Sequence, residues 1–376
     1  MVALEIAFWT SVALLVHTHV GYPLALWVIS RARRGSTQPF APPMAPPMVS
    51  LIIAAHDEEA VIERKVRNAL ELEYPRDRLE LIVSSDGSTD RTVELARSAG
   101  ADLVLDLERV GKLGAQNAGA AQARGELLAF SDANAFWDTS ALRRLVAPFG
   151  DPRVGYVCGQ VRFSADGGST EEGTYWRYEM AVRELESRLG GVTAGNGAIY
   201  AVRREAYLVL DPSRSHDLSF PFELTKSGWR AVYAPGALAE ERMVPTIEGE
   251  FSRKRRMMSG LWDIVIRDGM LSPRGYGAMY AFEIYSHRVL RYATPLLHLI
   301  ALGTNIALIG QGSVYGVMLA IQAAFLVCAG LGAVVPARPF RLAYYYLTVT
   351  ASIAVGLWDR IRGRVPRAWE QAEGTR

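Results

Sequence analysis

Residues 6–30 read IAFWTSVALLVHTHVGYPLALWVIS and carry no formal charge. In lipid, every backbone N–H and C=O must be satisfied within the segment itself, so a run of this length and polarity predicts a membrane-spanning helix. A cleaved secretory leader fits less well. The run is longer than an apolar leader core, Glu5 stands where a basic flank is expected, and no clear small-residue cleavage site follows. Arg31, Arg33 and Arg34 come next, which places the following chain in the cytoplasm and the N-terminus outside.

Three more apolar runs, roughly 292–311, 314–335 and 341–358, predict about three C-terminal transmembrane helices. The last is the shortest and holds Tyr344, Tyr345 and Tyr346, which suit a membrane interface. Four spans from an outside N-terminus return the C-terminus outside. Yet the tail carries Arg360, Arg362, Arg364 and Arg367, which favour the inside. Either the third run does not span or the tail breaks the rule.

Lys and Arg number 41 against 39 Asp and Glu, so there is no basic excess and no nucleic-acid partner is expected. Cys158 and Cys328 are too few for a disulfide framework or a cysteine zinc site, and Cys158 reads as a small core residue. The organisation expected is a transmembrane helix over 1–34, a Pro-rich linker over 35–48 and an α/β domain over 49–248. Interfacial amphipathic helices over 249–290, transmembrane helices over 291–358 and a basic tail over 359–376 complete it. In the interfacial stretch, FSRKRRMMSGLWDIVIRDG mixes a basic cluster with Leu261, Trp262, Ile264, Val265 and Ile266, the pattern of a helix lying on a membrane surface.

Within 49–248 strands and helices alternate. Strands are expected at 49–54, 79–84, 102–105 and 127–131, and helices at 58–72, 89–99 and 112–123, which predicts a mostly parallel α/β sheet. Ligands of open α/β sheets bind beyond the carboxyl ends of the strands. There the chain places Ala55-His56-Asp57-Glu58-Glu59, then Ser85-Asp86-Gly87-Ser88-Thr89-Asp90, then Asp132-Ala133-Asn134. One acid at a strand end is usually a cap or turn residue. Three acidic strand ends on one edge suggest a nucleotide diphosphate held through a metal, with acids also accepting bonds from base and ribose.

The segments SLIIAAHDEE, SSDGSTDRT, GKLGAQNAG, FSDANA, GNGAIYAVRRE and HDLSFPFELTKSGW follow one another in that order. Each is weak alone; together, on strand ends, the chain resembles a membrane-anchored, inverting family 2 glycosyltransferase of GT-A (Rossmann-like) fold over about residues 49–260. The resemblance implies a cytoplasmic catalytic domain on the cell (inner) membrane. Its implied partners are a nucleotide sugar, with a lean to UDP, a lipid-linked or membrane-proximal glycan acceptor, and the membrane itself.

It also implies roles. Asp86 matches the acid that contacts the base, and Ala55 and Glu58 lie in the first nucleotide loop. Lys112 matches a lysine near the nucleotide phosphates. Asp132 and Asn134 match the Asp-x-Asp motif that meets ribose and binds Mg2+ or Mn2+; Asn134 replaces the second acid and brings less charge. Asp217 matches the general base, 11 residues before Gly228-Trp229, with His216 ahead of it where an acid is usual. Gly195, Asn196 and Gly197 match the acceptor region, with a tight turn into a strand as the plainer reading. Arg256 matches the arginine of the processive Gln-x-x-Arg-Trp motif, but Arg253 and Met257 replace the Gln and Trp. Without that Trp no aromatic platform is expected for a growing chain, which favours addition of one or a few sugars over polymer synthesis. A catalytically degenerate nucleotide-binding scaffold is the rival of another class. A transporter ranks last, since its spans would need more ionisable groups. No Gly-x-Gly-x-x-Gly follows the first strand, which excludes a Rossmann dehydrogenase.

Overall fold

The computed structural model describes residues 1–33, 41–164, 170–211, 214–242, 255, 258 and 260–363. Arg256, residues 35–40 of the linker and most of the basic tail lie outside them.

The core is an eight-stranded sheet in the order β3-β2-β1-β4-β7-β6-β8-β5. The strands are β1 (Val49–Ala55), β2 (Leu79–Asp86), β3 (Leu103–Leu107), β4 (Leu127–Asp132), β5 (Phe136–Trp137), β6 (Val154–Ser164), β7 (Ile199–Arg203) and β8 (Arg230–Arg242). The first four are parallel, as the alternation predicts. Beyond β4, β7 enters antiparallel, so the whole sheet is mixed. All seven residues of β1 are buried because helices cover both faces of the sheet, which is why VSLIIAA is apolar throughout. Each buried Leu or Ile there contributes roughly 1.5–3 kcal/mol.

Register sets the strand ends level. Ala55 pairs with Ser85 and Ala54 with Asp132, so Ala55, Asp86 and Asp132 share one edge. The helix expected over 58–72 begins only at Ile62. The residues before it hold the neighbouring loop instead: Thr89 N–H donates to Asp57 Oδ1, Glu59 N–H to Asp90 Oδ2, and the Thr92 hydroxyl accepts from Glu58 N–H. Asp57 takes a left-handed backbone (φ 50°) to do this. The helix Gly111–Gln122 lies close on the sheet, since a Cβ at Gly119 would come within 2.6 Å of Ile52 Cγ2. That approach sets the depth of Lys112 at the sheet edge.

Among the described residues three helices are long and apolar enough to cross a membrane: Val2–Ala32, Ala278–Gln311 and Ser313–Leu331. They account for the N-terminal span and for two of the three expected C-terminal runs. The third C-terminal run does form a helix, Arg338–Ile361, but three tyrosines and charged ends make it less apolar. Its contacts run to the other apolar helices and to the 255–263 segment. Tyr346 meets His19 and His298, Trp262 Nε1 donates to the Ile353 carbonyl, Asp359 accepts from Arg255, and Arg360 donates to Asp263. The segment 260–266 is helical, but Leu261, Ile264 and Val265 are buried against Leu218, Phe222, Tyr280 and Ile284. Its apolar side is therefore covered by protein rather than by lipid alone.

Candidate active site

Each sheet-edge residue is placed by its strand. Asp86 ends β2 and is fully buried; its Oδ1 accepts from Val110 N–H at 2.6 Å and Gly111 N–H at 2.8 Å, while Arg109 Nε lies 3.5 Å from Oδ2. Asp86 thus anchors the start of the helix that carries Lys112. Ala55 and Glu58 are both buried beside it, where the first two loops interlock. Asp132 ends β4 and forms an ion pair with Lys112. Asn134 sits in the turn that follows.

The far wall comes from later chain. Asp217 lies in the first turn of the helix His216–Lys226, where the Ser215 hydroxyl donates to its carboxylate. The Asp217 carbonyl accepts from Gly195 N–H at 2.6 Å, which joins the start of its helix to the Gly195-Asn196-Gly197 loop. Asn196 Nδ2 donates to the Gly159 carbonyl at 2.5 Å. A Cβ at Gly195 would overlap the Tyr156 hydroxyl, so only glycine fits there. A Cβ at Gly197 would lie 3.7 Å from Lys112 Nζ. Lys112 therefore stands where the strand edge, the Gly195–Gly197 loop and the Asp217 helix converge. Burial opposes its charge, but Asp132, and less strongly Asp217 and Glu241, hold its pKa above the ordinary lysine value. It is a cation at neutral pH.

Two nearby residues escaped the sequence reading. Lys65 is fully buried and donates to the Ala135 carbonyl behind the Asp132–Asn134 turn. Burial pulls it down to about 7, against the opposing pull of Asp132 and Glu241. Its signal was a lysine on the apolar face of a helix, beside Ile62, Val66 and Ala69. Glu241, near the end of β8, acts electrostatically on both lysines. Its neighbour Glu240 pairs with Phe136, just past Asn134, a proximity that only the sheet creates. Arg256 lies outside the described residues, so its expected place at the diphosphate has no geometry here.

Among the described residues no group of three or more His, Cys, Asp or Glu could hold a metal. One carboxylate and one amide, Asp132 and Asn134, do fit a cation that arrives with a substrate diphosphate, as Mg2+ commonly does. They do not make an all-protein cage.

The glycosyl transferase family 2 model matches residues 50–209. A beta-monoglucosyldiacylglycerol synthase from Nostoc sp. is 29% identical over 297 residues, covering 72% of this chain and 62% of that protein. A poly-beta-1,6-N-acetyl-D-glucosamine synthase from Staphylococcus aureus is 26% identical over 234 residues, covering 58% of this chain and 56% of that protein. The chain thus spans about three-fifths of the length of these curated relatives. A mannosyltransferase from Pyrobaculum calidifontis, solved with GDP-Man and Mn2+, superposes with a TM-score of 0.70 at 25% identity, covering 95% of this chain and 99% of that one. Family match, sheet order and strand-edge acids agree: the chain carries a glycosyl transferase family 2 domain of GT-A fold.

Proposed function

We propose that the chain transfers a sugar, with inversion, from a nucleoside-diphosphate sugar to a lipid-linked or membrane-proximal glycan acceptor. The observation that carries this is the convergence of Asp132, Lys112 and the Gly197 loop with Asp217 at the carboxyl edge of the sheet.

Asp217 is the general base. The acceptor hydroxyl must lose its proton as it attacks the anomeric carbon, and a carboxylate within hydrogen-bond reach takes it. Lys112 meets the negative charge that gathers on the departing diphosphate. Asp132 and Asn134 would hold a divalent cation brought by the donor, and that cation would neutralise part of the same charge. A single base, working from the face opposite the diphosphate, inverts the anomeric configuration.

Asp86 supports a uridine donor. Its Oδ1 is already occupied by two backbone N–H groups and its Oδ2, 3.5 Å from Arg109 Nε, accepts no hydrogen bond among the described residues, so one oxygen at most is left for a base. Uracil offers one N–H between two carbonyls, which suits one carboxylate oxygen. Guanine offers two adjacent N–H donors, which suit two.

Three spans from an outside N-terminus also put the catalytic domain, Arg338, Arg341 and the arginine tail on one side, in line with the positive-inside rule. That supports a cytoplasmic catalytic domain on the cell membrane.

The test is nucleotide release by detergent-purified protein. UDP-, GDP- and dTDP-sugars are offered with membrane lipid extract, with and without Mg2+ or Mn2+, beside Asp217→Asn. Release from one donor that Asp217→Asn abolishes, with nucleotide binding kept, supports the reading. Full release by Asp217→Asn overturns the base. Binding without turnover of any donor favours a degenerate scaffold. Product length separates the two enzyme readings, since long polymers from early turnovers favour a processive synthase.

A further inference from the structure

The catalytic domain meets the membrane helices through buried charges rather than through apolar packing alone. Glu186, in the helix Thr170–Leu189, is fully buried. Its carboxylate accepts from the Tyr22 hydroxyl of the first membrane helix at 2.6 Å and from the Thr193 hydroxyl at 3.2 Å, and lies 2.6 Å from His287 Nδ1 of the second membrane helix. Arg288 Nε donates to the same Thr193 hydroxyl at 2.8 Å. Two residues further on, Gly195 N–H donates to the Asp217 carbonyl, and Arg183, one turn before Glu186, donates to the Gly195 carbonyl at 3.2 Å. Hydrogen bonds from Tyr22 to Glu186 and Thr193, the two residues of backbone from Thr193 to Gly195, and the Gly195 bond to the Asp217 carbonyl therefore connect the first membrane helix to Asp217.

Both membrane helices also widen where they join this network. The first has a π segment at His17–Gly21 and the second at Ile284–Val289. The two segments meet: the Thr18 hydroxyl donates to the Ser286 carbonyl at 2.7 Å, and His17 Nε2 lies 2.9 Å from Ser286 Oγ. A π segment loosens a helix locally and is commonly found at functional positions. Buried ionic networks are poor sources of net stability compared with apolar packing. A network this large is better explained by the one geometry it selects.

We infer that Glu186 is a positioning residue that ties the docked membrane anchor to the acceptor loop, so that Asp217 is held in register only when Tyr22 is seated. The inference rests on the proposed role of Asp217 as base, and its test is arranged to stand apart from that role. Tyr22→Phe removes one hydroxyl from the membrane helix and keeps its buried ring. In full-length protein in lipid nanodiscs, it should lower kcat about tenfold or more while donor KM stays within about twofold. Amide hydrogen exchange should accelerate in 190–197 and not in β1, β2 or β4. Glu186→Gln should act in the same direction and more strongly. If Glu186→Gln fails to fold, Tyr22→Phe carries the test alone. Wild-type kcat with unchanged exchange in Tyr22→Phe would overturn the inference. So would faster exchange spread evenly over the domain, which marks a merely structural residue. If the wild type transfers no sugar, the function reading fails, while localised exchange in 190–197 still supports the clamp and its absence still overturns it.

Discussion

His216 offers a quantitative check on the packing beside Asp217. It is 3% exposed, ringed by Phe130, Tyr200, Tyr207 and Phe220, with Nδ1 2.5 Å from the Tyr200 hydroxyl. Burial, with the Lys112 ammonium behind it, pushes its pKa from 6.5 down to about 3. In the folded chain the ring is neutral at every ordinary pH. In the unfolded chain it takes a proton as pH falls through 6.5. A depressed folded pKa means that the unfolded state binds more protons between the two values. The stabilisation is therefore complete above 6.5 and is lost as pH falls towards 3. The slope is about 1.4 kcal/mol per pH unit, which over this window amounts to roughly 4–5 kcal/mol. His216→Phe keeps an aromatic ring in an aromatic cage and removes the titration. Urea unfolding of full-length protein in detergent, followed by tryptophan fluorescence from pH 7 to pH 4, gives both curves. Carboxylates common to the two proteins cancel in the difference. The variant should gain on the wild type by about 1.4 kcal/mol for each unit below the upper pKa. Parallel curves would show that the ring is protonated inside the fold, and the reasoning from burial would be refuted.

Two further outcomes test the site itself. Lys112→Gln removes the cation between Asp132 and the Gly197 loop and should lower kcat/KM by about a hundredfold or more with weaker nucleotide binding, read by product release and by titration calorimetry. Gly195→Ala forces a methyl into the Tyr156 hydroxyl; it should cost about 1–3 kcal/mol of stability and move the acceptor loop off Asp217. Tyr156→Phe, made in the same chain, should recover part of both losses as measured by melting and turnover.

The strand-edge acids were legible because each follows a strand whose apolar run is plain in the chain, and strand direction alone puts Ala55, Asp86 and Asp132 on one edge. The helix start at 58 was misread because Asp57, Glu58 and Glu59 look like a helical first turn. Their partners, Ser88, Asp90 and Thr92, lie about thirty residues away. Glu241 was invisible as a site residue for the same reason, since no local pattern reports a contact across the sheet, whereas Lys65 showed only as a lysine on an apolar helix face.

By itself the sequence determined the membrane anchor, the α/β order of strands and helices, and the acids at the strand ends. These follow from composition and short-range periodicity, which act within a few residues. Packing was needed to show that β7 enters the sheet antiparallel and that Lys112 stands between Asp132 and the Gly197 loop. It alone joined Tyr22 to Glu186, 164 residues away. Such contacts are set by which buried charges and hydroxyls can satisfy one another once the helices have packed, and a linear pattern carries no record of that pairing.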